Sequence, residues 1–456
     1  MYGIHDVLLQ QERGDYSEHL SEGDFVLDCS MGSNPYGSPD FTIPANVMQD
    51  IAHYPHSDAE LTELIRQRFA DVLPISDNMV AFSCGSIGTC VALNRMCLKP
   101  GKTVVCMAPT FTAVTDDMTT YGVEFERVYL RRENNYAFDA DELIERIEGN
   151  PGAFVYIDNP NNPTGQVFPI DQVRRIVQAA QKANSFIVMD EAYGDYMDDD
   201  QTALSLVSEF DNLAVVRTFS KGFGAAGVRL GYCIAQPQVM AAFHKVNIPF
   251  SKNSLADAFA IQAMQAHWAQ KTLERVKQDK PKLLAALAEC KHLHVAHTSP
   301  GVSISMLYVD DEQINLEKVL SHAGVRVVTC SGYDGLGCNA IRLNLHEDID
   351  TLATLVRKAD DLVLHALGIP IYQCTSMIRH ADCLFIHQCT RGRVGAPFFA
   401  ASFVWSTLVE TDKARNAVIS RHGRKDAIMA ETTPNAAATG HSGGQGRPMQ
   451  TQARSE

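Results

Sequence analysis

The sequence predicts an α/β protein, with a large domain built on a mostly parallel β-sheet between helices and a second, smaller α+β domain. Between Asn78 and Ala235, short apolar runs such as TVVCMAP, AFVYIDNP, SFIVMDEAY and NLAVVRTFS are separated by amphipathic stretches such as DQVRRIVQAAQKA. Strand-length and helix-length segments that alternate in this way are typical of a parallel sheet with helices on its faces. After Pro249 the pattern changes to a helical segment, Leu255 to Glu289, followed by strand-like VSISMLYV, GVRVVTC and AIRLNL with a helix between them. That order is typical of an α+β domain.

These patterns divide the chain into four segments. Residues 1–52 have few periodic stretches and are predicted to be an N-terminal arm that packs against other parts of the protein or against a partner subunit. Residues 53–249 form the predicted large domain and residues 250–369 the small one. Residues 370–456 differ in character, because from residue 371 onward ten Lys or Arg stand against six Asp or Glu, a charge of +4 in a chain of net charge -15. The composition of this last segment predicts a partly disordered tail.

Composition and charge favour an intracellular enzyme that acts on small molecules. The 456 residues are 45% hydrophobic and 20% charged, which is enough to bury a large core. A net charge of -15 argues against a nucleic-acid partner, because phosphate binding needs a basic surface. The N-terminus lacks the basic and apolar regions of a signal peptide, and no apolar run is long enough to span a bilayer. We therefore expect a cytoplasmic protein without a membrane segment.

The cysteines and the clustered histidines do not predict a metal site. The twelve cysteines show no CxxC pair and no zinc spacing, which favours reduced thiols over disulfides or a metal cluster. His292, His294 and His297 alternate as residues of a strand would, which favours ordinary strand or surface histidines. We expect no metal.

The stretch TFSKGFGAAGVRLGY, which begins at Thr218, carries the strongest chemical signal. It places Lys221 in a loop of small residues directly after a predicted strand, with Arg229 eight positions further on. A lysine that acts as an amine nucleophile needs a partly desolvated pocket, whereas surface lysines usually stand among other charged residues. Lys221 is therefore predicted to be a Schiff-base lysine. Because ligands bind beyond the carboxyl ends of parallel strands, the other polar motifs are expected to meet it in one crevice.

Four motifs occur in a fixed order: CGSIGT at Cys84, NPNNPTG at Asn159, DEAYGDY at Asp190 and SKGFGAAGVR at Ser220. With these motifs the chain resembles the fold-type I pyridoxal-phosphate enzymes, specifically the class I/II aminotransferases, and most closely the histidinol-phosphate aminotransferase branch. The resemblance covers about residues 25–368. It implies the pyridoxal-phosphate-dependent transferase fold type I with a seven-stranded sheet, and pyridoxal 5'-phosphate (PLP) as cofactor. It also implies an L-amino acid and a 2-oxo acid as substrates, and a homodimer.

The resemblance implies three catalytic residues, which are Lys221, Asp190 and Tyr193. Asp190 matches the buried carboxylate that keeps the pyridine nitrogen of PLP protonated, as the cofactor needs in order to accept electrons. Asn162 and Tyr193 match the hydrogen-bond donors to its phenolic oxygen. The competing interpretations are a helix cap or strand end for Asp190, and a simple turn for NPNNPTG, whose Asn, Pro and Gly are usual turn residues.

The phosphate and the ring of the cofactor have predicted contacts of their own. Backbone N–H groups at the start of a helix and an arginine fork suit a phosphate. The residues that match the family's phosphate contacts are Gly85, Ser86, Ile87, Thr218, Ser220 and Arg229. Phe111 matches an aromatic residue that stacks on the pyridine ring, and a place in the core is the alternative. Tyr54 matches a tyrosine that reaches the cofactor phosphate of the neighbouring subunit, which requires a dimer.

The predicted substrate contacts follow the family pattern only in part. Arg342 in AIRLNL matches the arginine that pairs with the substrate carboxylate, and a surface ion pair is the alternative. Asn34 and Tyr36 lie in SMGSNPYGSP, which resembles the family's NENPYG segment but lacks its acidic residue. Val328 stands where histidinol-phosphate aminotransferases have an arginine for the substrate phosphate, and Arg326 lies two residues earlier on the same strand face. These departures argue against a phosphorylated substrate.

The predicted function is the transfer of an amino group from an L-amino acid, or a related amine, to a 2-oxo acid through Lys221. Decarboxylation, oxidation or elimination with the same cofactor stays open, because the outcome depends on which bond at the substrate Cα stands perpendicular to the ring. A PLP-binding transcriptional regulator is disfavoured, since only about fifty residues, acidic in composition, precede the match where such proteins have a DNA-binding domain.

Overall fold

The computed structural model describes residues 4–10, 25–55 and 57–366, and the predicted tail, residues 370–456, lies outside this part. The helices of the described part are α1 (Asp6–Gln10), α2 (Ala45–Gln49), α3 (Ala59–Arg68), α4 (Gly85–Cys97), α5 (Thr112–Thr119), α6 (Ala140–Glu148), α7 (Ile170–Lys182), α8 (Pro237–Val246), α9 (Ser254–Gln265), α10 (Trp268–Ala288), α11 (Leu316–Ala323) and α12 (Ile349–Ala366). Its strands are β1 (Leu27–Asp28), β2 (Val80–Ser83), β3 (Thr103–Ala108), β4 (Glu124–Tyr129), β5 (Phe154–Asp158), β6 (Phe186–Asp190), β7 (Leu213–Thr218), β8 (Gly231–Ala235), β9 (His294–Val295), β10 (Ile304–Tyr308), β11 (Val325–Arg326), β12 (Val328–Thr329) and β13 (Ala340–Asn344). None of these helices is long and apolar enough to cross a membrane.

The large sheet has seven strands in the order β2-β8-β7-β6-β5-β3-β4. Neighbouring strands run parallel except at β8, which is antiparallel to both β2 and β7. In β5, Val155 and Ile157 pack into one hydrophobic core and Phe154 and Tyr156 into another, because successive side chains of a strand point to opposite faces. Strands that are buried on both faces are typical of a sheet with helices on each side. The predicted mostly parallel, seven-stranded sheet is confirmed.

The second sheet is antiparallel, in the order β12-β13-β10-β9. Its apolar side chains form a separate core with those of α10, α11 and α12. The strands predicted in VSISMLYV and AIRLNL and the helix between them are present as β10, β13 and α11. The prediction of one helix from Leu255 to Glu289 is wrong, because the backbone at His267 has a φ of 52° and separates α9 from α10. A residue with left-handed φ does not continue a right-handed helix.

The N-terminal segment packs against the second sheet's core. β1 pairs with β11 in parallel, with Leu27 opposite Val325, and Leu27 and Cys29 belong to that core. This pairing divides the predicted strand GVRVVTC in two, since β11 pairs with β1 whereas β12 pairs with β13. Arg326 and Val328 therefore belong to different sheets, and the expectation that they share one strand is wrong.

A fully buried lysine connects α10 with the loop that leads into β10. Lys280 Nζ donates hydrogen bonds to Thr298 Oγ1 and to the carbonyl oxygens of Val302 and Ile304, each at 2.7 Å. Burial lowers the pKa of Lys280 well below that of an ordinary lysine.

The NPNNPTG turn lies close to the same strand. A Cβ atom on Gly165, whose φ is 75°, would lie 2.2 Å from the Ile304 carbonyl oxygen. The NPNNPTG turn, which ends at that glycine, therefore rests directly on the start of β10.

Candidate active site

A cavity of about 570 Å³ lies at the carboxyl ends of the central strands of the large sheet. Asp158 ends β5, Asp190 ends β6 and Lys221 follows β7, and all three line the cavity. Its lining includes these residues predicted from the motifs: Ser86, Ile87, Phe111, Asn162, Asp190, Tyr193, Ser220, Lys221, Arg229 and Arg342. The cavity therefore lies beyond the strand ends, where the crevice was predicted and where α/β sheets usually bind ligands.

Lys221 enters the cavity from the loop after β7 and is half-buried. Its Nζ lies 5.1 Å from the centroid of the Tyr193 ring. The Tyr193 hydroxyl donates a hydrogen bond to the carbonyl oxygen of Gly32 at 3.4 Å. A Cβ atom on Gly32 would lie 1.9 Å from that hydroxyl and 3.5 Å from Lys221 Nζ. The N-terminal segment therefore covers both side chains closely, and only a glycine leaves room for them.

Asp190 lies at the end of β6 with 3% of its surface exposed. Its Oδ2 accepts hydrogen bonds from the Tyr156 hydroxyl at 2.8 Å and from the Cys90 thiol at 3.6 Å. Its Oδ1 accepts one from the N–H of Ala192 at 3.0 Å. Burial raises the pKa of the Asp190 carboxyl, and these hydrogen bonds and the charge of Lys221 oppose that rise. The carboxyl group is thus held in place by donors that favour its ionised form.

The motifs do not single out Tyr156 or Cys90. The signal available for Tyr156 is its place inside a buried strand, because a buried tyrosine hydroxyl must find a partner. Cys90 gives no such signal, since a buried cysteine usually behaves as a small apolar residue.

Asp158 provides a second buried carboxyl group beside Asp190, and the two are paired in register across β5 and β6. Asp158 accepts hydrogen bonds from the Thr110 hydroxyl at 2.7 Å, the Asn161 side chain at 3.0 Å and the Asn162 N–H at 2.9 Å. Burial, opposed by these bonds, raises the pKa of Asp158 to about 7. The motifs do not single it out, although it also ends a predicted strand. Its three bonds anchor the turn that presents Asn162.

Asn162, Arg342 and Tyr333 form a hydrogen-bonded group on another side of the cavity. Asn162 Oδ1 accepts hydrogen bonds from Arg342 Nη1 and from the Tyr333 hydroxyl, each at 3.1 Å. Because the amide oxygen is used in this way, the amide nitrogen is the group that can donate into the cavity. Arg342 Nη2 donates to the Ser30 carbonyl oxygen at 3.1 Å, whereas its Nε is buried without a partner among the described residues. The loop that carries Tyr333 shows no signal in the sequence.

The start of α4 forms one half of a cradle. Gly85 has a φ of 72°, and a Cβ atom there would lie 2.5 Å from Arg229 Nη2. Ser86 and Ile87, in the first turn, line the cavity. The side chain of Cys84, which precedes the helix, makes no capping hydrogen bond. The first N–H groups of α4 are therefore available to an anion.

Arg229 and Ser220 form the other half of this cradle. Arg229 Nη1 donates to Ser220 Oγ at 3.4 Å, and Ser220 Oγ lies 3.0 Å from Thr218 Oγ1. Thr218 and Gly85 lie outside the cavity lining. Thr218 is hydrogen-bonded to Ser220, and Gly85 leaves room for the Arg229 guanidinium. The six residues predicted as phosphate contacts thus lie together at one end of the cavity.

Gly231→Ala is expected to disrupt the cradle. A Cβ atom at Gly231 would lie 2.4 Å from the carbonyl carbon of Gly85 and 2.5 Å from the nitrogen of Ser86, and these backbone atoms yield only if α4 shifts. Overpacking costs about 1–3 kcal/mol, so the dissociation constant for PLP should rise about 5- to 100-fold in equilibrium dialysis of the apo-protein. Gly227→Ala is the matched control, because a Cβ atom there meets nothing within 4 Å. Equal PLP affinity in the two variants would contradict this account.

Asn34 and Tyr36, predicted as substrate contacts, do not line the cavity. Asn34 Nδ2 donates to the Gly222 carbonyl oxygen at 2.8 Å and to Thr272 Oγ1 at 3.0 Å. The Tyr36 hydroxyl donates to Asp279 at 3.0 Å. Their polar groups hold the N-terminal segment against α10 and the loop of Lys221, so these two side chains do not reach the cavity within this chain.

Tyr54 also lies outside the cavity lining. It is 71% exposed, and its ring stacks on that of Phe250 with a centroid distance of 4.4 Å. Within this chain its hydroxyl therefore does not contribute to the cradle.

The cavity fits PLP in three respects. Asp190 is a buried carboxyl group that can pair with a protonated ring nitrogen. The cradle at α4 offers N–H groups and the guanidinium of Arg229 to a phosphate. The amine of Lys221 faces the same space. Together with the seven-stranded sheet, these features define a PLP-dependent enzyme of fold type I.

The sequence model of the family described as aminotransferase class I and II matches residues 24–358. The chain therefore belongs to the class I and II aminotransferases, which are PLP-dependent enzymes.

Histidinol-phosphate aminotransferases are among the similar proteins. The one from Ruminiclostridium cellulolyticum is 28% identical over 263 residues, which are 56% of this chain and 72% of that protein. An aromatic amino acid aminotransferase from Mycolicibacterium vanbaalenii is 32% identical over 230 residues, 49% of this chain and 64% of that protein. The crystal structure of histidinol-phosphate aminotransferase from Sinorhizobium meliloti in complex with PLP shares the fold, with a TM-score of 0.63, 20% identity, and coverage of 74% of this chain and 92% of that one. The resemblance to this branch is confirmed.

Proposed function

We propose that the protein transfers an amino group from an L-amino acid, or a related amine, to a 2-oxo acid, and that Lys221 binds the PLP cofactor covalently. The observation that carries the proposal is the presence of Lys221, Asp190 and Arg342 around one cavity. These side chains supply an amine for the cofactor, a carboxyl group for its ring nitrogen and a guanidinium with an unpartnered Nε for a substrate carboxylate.

Lys221 is the proposed proton carrier. PLP, when bound, withdraws electrons from the substrate Cα and so weakens its C–H bond. The free Lys221 amine takes the Cα proton and would deliver it to the bound cofactor rather than back to Cα, so that hydrolysis releases the substrate as a 2-oxo acid and its amino group stays behind. Tyr193 and Gly32 enclose the amine on one side, which limits the positions that Nζ can take.

The other predicted residues hold the cofactor. We propose that Asp190 pairs with its ring nitrogen, that Asn162 Nδ2 and the Tyr193 hydroxyl donate to its phenolic oxygen, and that Phe111 packs on its ring. The cradle of α4 and Arg229 binds its phosphate. Asn162 is held for this task by Asp158 on its N–H side and by Arg342 and Tyr333 on its side-chain oxygen.

Arg342 favours amino-group transfer over decarboxylation. A guanidinium that pairs with the substrate carboxylate stabilises that group as an anion. A decarboxylase must discharge the same carboxylate, so stabilisation of the ground state would slow the reaction. We therefore expect the carboxylate to be retained in the product.

The test is a half-reaction. The PLP-loaded protein is mixed with single L-amino acids in the absence of a 2-oxo acid, and the cofactor's visible absorbance and the products are followed. We expect the band to bleach, one 2-oxo acid to form per site, and the band to return when a 2-oxo acid is added. Release of carbon dioxide would assign the enzyme to decarboxylation, and no spectral change with any amino acid or related amine would refute the proposal.

We propose in addition that two copies of the chain pair and that Tyr54 of one copy reaches the cofactor phosphate of the other. Tyr54 and Phe250 are 71% and 62% exposed and form a stacked aromatic pair at the surface, a composition suited to a protein interface. Tyr54→Phe removes only the hydroxyl, and a hydrogen bond to a charged group is worth about 1.5–3 kcal/mol. The dissociation constant for PLP should therefore rise about 10- to 100-fold while sedimentation velocity still shows a dimer. A monomeric wild type would contradict the pairing.

A further inference from the structure

We infer that the substrate is an amino acid with one carboxylate, at Cα, and with a side chain that carries neither an acidic nor a phosphate group. The inference rests on the proposed amino-group transfer and specifies its substrate class. The basic side chains of the cavity lining must balance the negative charges of the cofactor phosphate and of the substrate.

The basic side chains of the cavity lining already have partners assigned to them. Among the described residues that line the cavity, they are Lys221, Arg229 and Arg342. Lys221 serves the cofactor's covalent attachment, and Arg229 lies in the cradle for its phosphate, beside Gly85. Arg342 is therefore the cation that remains for the substrate.

Arg342 can balance a carboxylate but not a phosphate. A carboxylate carries a charge of -1, whereas a phosphate monoester carries about -1.5 to -2 at pH 7. Arg342 is 9% exposed, and its hydrogen-bond partners Asn162, Tyr333 and Ser30 are neutral groups. A phosphate in this place would keep an excess negative charge out of water, which is costly.

Arg326 does not supply a second cation. Its Nη1 pairs with Asp28 Oδ2 at 3.4 Å, and its guanidinium carbon lies 5.5 Å from the centroid of the Phe25 ring, away from the cavity lining. Val328 lines the cavity instead, directly opposite Arg342 in the pairing of β12 with β13. Because side chains of directly opposed residues lie on the same face of a sheet, the nearest neighbour of Arg342 across the strands is apolar.

The remaining wall near Arg342 is uncharged as well. Met31, Thr329, Ser331 and Tyr333 line it. Burial raises the pKa of Tyr333 above that of an ordinary phenol, so it stays neutral at pH 7. The further acidic residue in the lining, Asp116, adds negative charge. Among the described residues that line the cavity of one chain, a second acidic group on the substrate would thus find no cation, whereas an apolar or hydroxyl-bearing side chain matches this wall.

The first experiment compares substrates of the wild-type holoenzyme. kcat/KM of the half-reaction is measured with L-phenylalanine, L-leucine and L-methionine, and with L-glutamate and L-histidinol phosphate. We expect kcat/KM of the best uncharged amino acid to exceed kcat/KM of each negatively charged compound by at least about 30-fold, because a buried charge without a partner costs about that much. A charged compound that reacts as fast overturns the inference but leaves amino-group transfer intact. No reaction with these compounds or with any other L-amino acid or related amine overturns both.

The second experiment changes the charge beside Arg342. Val328→Arg places a second guanidinium opposite the first, and the affinity of the holoenzyme for L-histidinol phosphate, measured by calorimetry, should rise at least about tenfold. Val328→Met is the matched control, because it adds length without charge and should bring no gain. A gain of equal size in Val328→Met, or no gain in Val328→Arg, overturns the inference. Should Val328→Arg fail to fold, the comparison of substrates on the wild type decides alone.

Discussion

Replacing Lys221 with alanine is expected to lower the rate of amino-group transfer by more than about 10⁴-fold. Loss of a positioned proton carrier alone costs about 10²–10⁴-fold, and loss of the covalent link to the cofactor adds to this. The other basic side chains of the described lining, Arg229 and Arg342, cannot replace it, since a guanidinium does not deprotonate and so cannot take a proton. Neither arginine can therefore take over the role.

Two measurements check this expectation. The first is the single-turnover rate, and the second is borohydride reduction of the holoenzyme followed by peptide mass spectrometry, which should find the cofactor's mass on the peptide with Lys221 and none in Lys221→Ala. Lys271→Ala, which changes an exposed lysine on α10, is the control and should behave as the wild type. Cofactor attached to a different lysine, or a Lys221→Ala variant that keeps its rate, would rule out the assigned role.

Arg342→Ala is expected to lower kcat/KM for the amino acid by about 30- to several-thousand-fold, mainly through KM. Truncating one partner of a buried, hydrogen-bonded charge pair costs about 2–5 kcal/mol. Arg342→Lys should recover little of this loss, because a lysine ammonium offers no planar fork to a carboxylate and cannot at the same time keep the bonds to Asn162 and Ser30. Steady-state kinetics with varied amino acid separate KM from kcat.

Tyr333→Phe is the matched control for Arg342. It removes one of the two donors to Asn162 Oδ1 and the long 3.4 Å contact that Arg342 Nη1 makes with the Tyr333 hydroxyl, and it leaves the guanidinium in place. The loss of one hydrogen bond costs about 1 kcal/mol, or roughly fivefold, and loss of the long contact adds less than that. If Arg342→Lys kept the wild-type KM, or if Arg342→Ala lost PLP instead of raising KM, Arg342 would not be the carboxylate partner.

Four of the residues predicted around the cavity share one property. Phe111, Asn162, Asp190 and Lys221 end a strand of the large sheet or follow one within a few residues. Parallel strands end at the same edge of a sheet, so a short distance along the chain from a strand end is enough to place a side chain there. Their convergence was therefore predictable from local pattern and motif order.

The residues that the motifs missed depend on contacts between distant parts of the chain. Tyr333 lies 171 positions from Asn162, to which it donates a hydrogen bond. Cys90 lies 100 positions from Asp190 and reaches it only because α4 packs on the sheet. No spacing within a motif encodes these neighbours.

The α/β class, the membership in the aminotransferase family and the placement of Lys221, Asp190 and Arg229 follow from the sequence alone, because periodicity and motif order are local properties. The three-dimensional structure was needed to show that Asn34 serves the packing of the N-terminal segment and that Val328 stands opposite Arg342. The physical reason is that strand register, the choice of pairing partner and burial depend on the free energy of many contacts far apart in sequence. The substrate side of this cavity is built from such contacts, and the cofactor side is built from residues next to strand ends.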